Sequence, residues 1–220
     1  MPAPDKVSAD ARLRRMSNPT AGGSRSWSVA LLGALGLVLV GGRGAAAKGP
    51  HPIKVTLDQI SVDGVGAPIG TVTVKQTKDG IDLVTDLKGL TPGEHGFHLH
   101  EKGSCEPADK EGKKVAGQAA GGHWDPEGTK AHKGPMGGGH KGDLPKLVVG
   151  ADGKLKTKVS VKGLTLADLE GKTLLIHESG DNYSDQPKPL GGGGARVACG
   201  VVPAGEATAA GKPEDAPKKP

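Results

Sequence analysis

Seven residues in the middle of this chain carry donor atoms that suit a metal. They are His98 and His100 in GFHLHEKGSC, His123 in AGGHWDP, His132 in TKAHKGP, His140 and Asp143 in GGGHKGDLP, and His177 in LLIHESGD. The chain has eight histidines in all, so this set takes up most of that residue type. Imidazole with one carboxylate suits borderline cations such as zinc and copper rather than magnesium or calcium. Their spacing is that of two metal sites sharing one side chain. His98 and His100 are two residues apart, so on a strand both rings point to one face while Leu99 faces a core. His123, His132, His140 and Asp143 are separated by glycines and a proline that let the backbone fold round a small ion. Three histidines and an aspartate would fill a closed tetrahedral zinc site.

Each fragment alone also has a plainer reading. His98-Leu99-His100 is a common pattern, the His/Gly stretch could be a solvated loop, and His177 ends an apolar run as a satisfied core histidine would. Asp181 is either a turn residue in SGDN or a carboxylate that accepts the free ring N–H of a ligand histidine, which would fix its tautomer. Arg196 is either a surface strand charge or a cation held near the metals. No open fourth zinc position or adjacent general base suggests a zinc hydrolase.

The elements that must position these residues are strands. Ile53/Val55/Leu57 alternate with polar residues, Ile69–Lys75 follows after a Gly/Pro turn, and Ile81–Leu87 lies between Asp79-Gly80 and Lys88-Gly89. Leu147–Val149 and Leu155–Val161 read as a hairpin across Asp152-Gly153, and Lys172–His177 and Arg196–Val202 read as late strands. Thr165–Gly171 is at most one helical turn. Short strands with Gly-rich turns imply an all-β antiparallel sandwich or barrel. Glu101–Pro145 and Glu178–Ala195 show no strand pattern. Loops this long in a compact domain are functional or disordered, and they hold most of the donor set. Beyond residue 47 the aromatics are Phe97, Trp124 and Tyr183 alone, so the core must be aliphatic.

Both ends read as something other than fold. Arg12, Arg14, Arg15 and Arg25 precede the apolar run Val29–Val40, and Ala45-Ala46-Ala47 offers a cleavage site, so residues 1–47 form a secretory signal. The run is short for a membrane span, which needs roughly 20 residues, so no stable membrane insertion is expected after cleavage. Met16 is an alternative start. The leader accounts for four of the five net positive charges. The remainder has no basic stripe, which argues against a nucleic-acid partner. Residues 204–220, rich in Pro, Ala and Lys, read as a disordered tail, leaving a domain at 48–203. Cys105 and Cys199 are the only cysteines. In an exported chain they most simply form one disulfide, with two buried thiols as the alternative.

Taken together, GFHLHEKGSC, AGGHWDP, GHKGDLP, SGDNYSDQPKPLGGGG and ARVACG resemble the Cu,Zn superoxide dismutase family, most closely its bacterial periplasmic branch. The resemblance covers about Ile53 to Val202. It implies a Greek-key sandwich or flattened barrel with two long functional loops and a single intrachain disulfide, Cys105–Cys199. It matches His98, His100, His123 and His177 to the copper ligands and His123, His132, His140 and Asp143 to the zinc ligands, with His123 bridging. Asp181 matches the aspartate linking histidines of the two sites, Arg196 the active-site arginine, and His95 a histidine that braces the backbone without binding metal. Trp124 departs from the tyrosine or leucine often found there. The implied activity is conversion of two superoxide anions and two protons to O₂ and H₂O₂ by copper redox cycling, with one Cu and one Zn ion per chain. His123 would pass a proton and Arg196 would place the anion. The implied location is periplasmic or otherwise exported, and a homodimer stays open. A non-enzymatic copper/zinc-binding protein on the same fold is the alternative. Lys110, Lys113, Lys114, Lys130 and Lys133 on the loops are either solvated charges or an attraction for the anion.

Overall fold

The computed structural model describes residues 50–205. The leader read at 1–47 and most of the 204–220 tail lie outside the described residues.

The alternating segments form the expected strands. Strand β1 (Ile53–Ser61) buries Ile53, Val55 and Leu57 and exposes the residues between them. Strands β2 (Gly64–Gln76) and β3 (Gly80–Lys88) follow in an antiparallel meander. Short strands β4 (Gly93–His95) and β5 (Phe97–His100) come next, then β6 (Ala108–Lys110) and β7 (Lys113–Val115). The last are β8 (Leu147–Val149), β9 (Lys154–Lys162), β10 (Thr173–His177) and β11 (Arg196–Val201). One helical turn, α1 (Leu166–Leu169), stands where Thr165–Gly171 is read, opened by a reciprocal bond between Thr165 and Asp168.

Seven strands make one curled antiparallel sheet in the order β5-β10-β11-β1-β2-β3-β9. The last strand, β11, returns to lie beside β1, which continues through β2 and β3. This is the 4-1-2-3 order of a Greek key. The core between the curled faces is aliphatic, with Phe97 its one fully buried aromatic and Trp124 packed against its edge.

A bulge in β1 has a consequence for the site. The register with β2 shifts between Leu57 and Ile60, so the buried position moves from the expected Gln59 to Ile60. Ile60 then leaves the main core and joins a small cluster with Cys105, Ala120, Leu175 and Cys199. Cys105 and Cys199 are disulfide-bonded, and neither is free. The cluster sits under the loop that approaches Arg196.

Two expectations need correction. Leu147–Val149 and Leu155–Val161 are not a paired hairpin: β8 pairs with β4 while β9 pairs with β3 along its whole length. The tight turn is present, with Gly150 N–H donating to the Lys154 carbonyl, but each arm finds a different partner. The stretch 101–145 is not free of strands, since β6 and β7 form a three-pair hairpin. Their charged, three-residue arms carry no apolar alternation, and the turn depends on positive φ at Glu111 and Gly112. No helix among the described residues is long and apolar enough to cross a membrane.

Candidate metal centre

The site is built on the open edge of β5. That strand pairs with β10 on one side, Leu99 opposite Leu174 and His98 opposite Leu175. Phe97 and Leu99 enter the core, so His98 and His100 project together from the other face, and all four residues are buried. On the free side of β5 the loop begins and ends at one residue. Trp124 N–H donates to the Leu99 carbonyl at 2.8 Å, and Leu99 N–H donates to the Gly142 carbonyl at 2.9 Å. This pinning sets His123 beside His100 and Asp143 beside His98 as isolated bridges. His177 arrives at the end of β10, where a register slip places it across from Arg196.

All seven donors read from the sequence come together. The group His98, His100, His123 and His177 and the group His123, His132, His140 and Asp143 each converge with ligand atoms within 4.8 Å of one another, sharing His123. The ring nitrogens divide accordingly. His98 Nε2 is held by Asp181 Oδ2 at 2.8 Å, His100 Nδ1 by the Gly121 carbonyl at 3.0 Å, and His177 Nδ1 by the Gly194 carbonyl at 3.2 Å. Each of these bonds fixes a tautomer and leaves the other nitrogen bare. The bare atoms, His98 Nδ1, His100 Nε2, His123 Nε2 and His177 Nε2, are buried and have no hydrogen-bond partner. Buried polar atoms are almost always satisfied, so four orphans facing one another mark a place for a cation. Four imidazole nitrogens suit copper.

The other group fails as a hydrogen-bond network in a way that also asks for a metal. Asp143 Oδ1 lies 2.9 Å from His123 Nδ1, 2.9 Å from His132 Nδ1 and 3.2 Å from His140 Nδ1. Three rings crowd one carboxylate oxygen, and His132 Nδ1 makes no hydrogen bond there despite its closeness. At its other nitrogen, His132 Nε2 lies 2.8 Å from Asp181 Oδ1. A tetrahedron with zinc–ligand bonds near 2.0–2.1 Å has edges of roughly 3.3–3.4 Å, close to these separations. Three nitrogens and one oxygen fit zinc.

Protonation follows the same division. Burial pushes His100 well below the usual imidazole value, His123 down to about 4 and His177 down to about 3. His98 is also lowered by burial, against the pull of Asp181. His132 goes the other way: burial is outweighed by Asp143 and Asp181, and its pKa rises to about 9. Asp143 and Asp181 are themselves held well below the carboxylate range, since bonds to the histidines overcome their burial.

Arg196 donates from Nη1 to the Gly117 carbonyl at 2.6 Å and from Nη2 to the Gly121 carbonyl at 2.7 Å. Gly117 and Gly121 flank the short turn at Gln118–Ala120, whose Ala120 packs on the disulfide. The disulfide therefore helps hold the arginine as well as the chain. The Arg196 charge contributes to the lowering at His100 and His177, so its field reaches those rings. His95 stands apart: its Nδ1 meets the His177 carbonyl at 2.6 Å and its Nε2 the Thr91 carbonyl at 2.8 Å.

Sequence reasoning misses the carbonyls of Gly117, Gly121 and Gly194, because a backbone acceptor leaves no residue-type signal. It also passes over Tyr183 and Asp185. Tyr183 accepts the Lys146 N–H at its hydroxyl, and a Cβ at Gly134 would sit 2.6 Å from its ring. Asp185 accepts the backbone N–H of His132.

Comparison with known proteins agrees with this geometry. The family model described as copper/zinc superoxide dismutase (SODC) matches residues 68–202. The Superoxide dismutase [Cu-Zn] of Escherichia coli strain K12 is 51% identical over 172 residues, covering 78% of this chain and 96% of that protein. The Cu/Zn superoxide dismutase structure from Brucella abortus is 47% identical with a TM-score of 0.68, covering 69% of this chain and 99% of the other. The solution structure of the monomeric copper, zinc superoxide dismutase from Salmonella enterica is 52% identical with a TM-score of 0.62 and the same coverage.

Proposed function

The chain belongs to the copper/zinc superoxide dismutase family, and from that premise we propose how its own residues divide the work. Its activity is the conversion of two superoxide anions and two protons to O₂ and H₂O₂, with one copper and one zinc ion per chain. His98, His100, His123 and His177 hold copper, while His123, His132, His140 and Asp143 hold zinc. The observation that supports this division is the set of four orphaned nitrogens on one side of His123 and the overcrowded Asp143 oxygen on the other.

When bound, copper would supply the one-electron redox couple and zinc a fixed positive charge beside the shared ring. The chain does the rest. Arg196, held by the Gly117 and Gly121 carbonyls, is the already oriented donor that would place the anion. His123, the one ring common to both donor groups, is the residue we assign to passing the proton. Asp181 holds His98 and His132 by one carboxylate, so the rings of the two sites keep a fixed relation. His95 braces the His177 backbone.

The leader at 1–47 supports export, and the disulfide suits an oxidising compartment such as the periplasm. The 48–203 segment is the folded enzyme, and 204–220 is an appended tail. Every ligand comes from one chain, so the centre is complete in a monomer or a homodimer. One measurement tests the reading against a non-enzymatic metal-binding protein: metal content and superoxide dismutation on the same sample. About one Cu and one Zn per chain with turnover is expected. Full metal content without turnover would sink the assignment of Arg196 and His123.

A further inference from the structure

Two of the four zinc-side residues, His140 and Asp143, are fixed from within their own segment, and a third, His123, from the neighbouring strand. Asp143 N–H donates to the His140 carbonyl, His140 N–H donates to the Ala131 carbonyl, and His123 sits on the edge of β5. His132 differs. It lies between two positive-φ residues, Lys130 and Gly134, in a stretch without regular structure. Its ring is held at Nε2 by Asp181, and its backbone N–H donates to Asp185 Oδ2 at 2.9 Å. Both of these bonds come from the other loop, while its neighbours are tied within their own: the Ala131 carbonyl accepts the His140 N–H and the Lys133 N–H donates to Asp143 Oδ2 at 3.1 Å.

The Asp185 carboxylate has a second partner. Its Oδ1 accepts the N–H of Leu190 at 3.0 Å. Leu190 leads into Gly191, where a Cβ would overlap Asp181 Oδ1 and come 2.8 Å from His132 Nε2. Gly193 follows, against the His177 ring, and then Gly194, whose carbonyl holds His177 Nδ1. These two backbone N–H donors keep the Asp185 carboxyl below its usual range.

We propose that Asp185 is a positioning residue that clamps the backbone of His132 to the glycine run over His177 and so sets the geometry of zinc binding. Asp181 joins the two sites through side chains; Asp185 joins the same two regions through the main chain. The inference rests on His132 being a zinc ligand. Asp185 itself touches neither substrate nor metal donor atoms. Removing it takes away the bond at the His132 N–H while the bonds at Ala131 and Lys133, the ring bond to Asp181 and the copper-side ring bonds remain, so the effect is a shift in the placement of one zinc-side donor.

The test uses the full copper-loaded chain with copper reduced, a state with no visible d–d band, and titrates the zinc site with Co(II), which accepts tetrahedral nitrogen and oxygen ligands. Wild type should show a tetrahedral Co(II) band that His132→Ala abolishes. Asp185→Ala should raise the Co(II) dissociation constant about 10–100-fold, the usual range for groups that orient ligands. It should also shift the Co(II) band, while copper content stays within about twofold. Asp185→Asn keeps one acceptor oxygen and should fall between, and it decides the matter if the alanine variant does not fold. A band and a dissociation constant within about twofold of wild type in these variants would overturn the clamp. A shift in unfolding temperature with an unmoved band would reduce Asp185 to loop stability and overturn it equally. Should His132→Ala retain the wild-type band, the zinc assignment fails and the inference falls with it.

Discussion

The two halves of the metal centre are built differently. On the side we assign to copper, His98 and His100 stand on β5 and His177 ends β10, two strands whose register is locked residue by residue. Burial keeps these rings neutral, so four nitrogen lone pairs are ready. On the side we assign to zinc, His132, His140 and Asp143 stand in a loop whose backbone bonds to β5 at Trp124 and Gly142. Here the charges compensate one another, with His132 raised to about 9 beside two depressed carboxyls. The copper side is a preorganised pocket; the zinc side is a loop whose closure a cation completes. Metal binding to such a loop carries folding free energy with it.

The largest expected effect breaks the comparison at its shared member. His123→Ala removes a donor from each side, and dismutation should fall by at least about 100-fold, the lower bound for losing a positioned proton-transfer group. A variant that kept full activity with both metals bound would end the two-site reading. His140→Ala, by contrast, removes a loop donor alone. It should lose zinc while copper content and the copper spectrum change little. If zinc loss instead emptied the copper set, the strands would not be the independent frame described above.

Next in size is the disulfide, which ties the loop carrying Gly117 and Gly121 to β11, three residues beyond Arg196. Cys105→Ser with Cys199→Ser opens a cross-link spanning 94 residues, for which chain-entropy arguments give roughly 4–5 kcal/mol. Denaturant unfolding measures the loss. The copper set should survive in the folded fraction, because none of its side chains is on the freed segment except His123. Activity per bound copper should still fall, since Arg196 loses the fixed carbonyls that aim it. Unchanged activity per copper would separate the disulfide from the arginine.

How much of this was legible depends on what leaves a mark in residue types. The copper side is legible because His-Leu-His on a strand needs only the alternation of faces, and the apolar run Leu174–Ile176 already announces β10. The zinc donors are legible as a set only through the family resemblance, since the His/Gly stretch alone reads equally well as a solvated loop, and their geometry is not legible at all. It depends on Trp124 and Gly142 meeting at Leu99 and on Asp185 reaching across from a distant loop, which no local pattern encodes. The β8–β9 misreading has the same origin: Asp152-Gly153 signals a turn truthfully, yet which partner each arm pairs with is decided by the rest of the sheet. Cys105 and Cys199 are legible as a pair through count alone, while the Ile60 bulge that seats them beside Leu175 is not.

The smallest expected effect is spread over several pH units and opposes the two sides most directly. In metal-free protein, His123 and His177 have folded pKa values of about 4 and 3 against roughly 6.5 for an unfolded histidine. Their stabilising contribution is present above pH ~6.5 and is lost as pH falls toward those folded values. His132 runs the other way. With a folded pKa of about 9, its contribution is complete below pH ~6.5 and is lost as pH rises through 9. The unfolding temperature of the metal-free protein should therefore pass through a maximum near neutrality, with an acid limb owed first to His123 and His177 and, below the ordinary carboxylate range, also to Asp143 and Asp181, and an alkaline limb owed to His132. His132→Gln should flatten the alkaline limb and leave the acid limb in place. An alkaline limb equally steep in that variant would show that the loop is not held by the ion pair of His132 with Asp143 and Asp181, and the contrast between a neutral pocket and a charge-compensated loop would not stand.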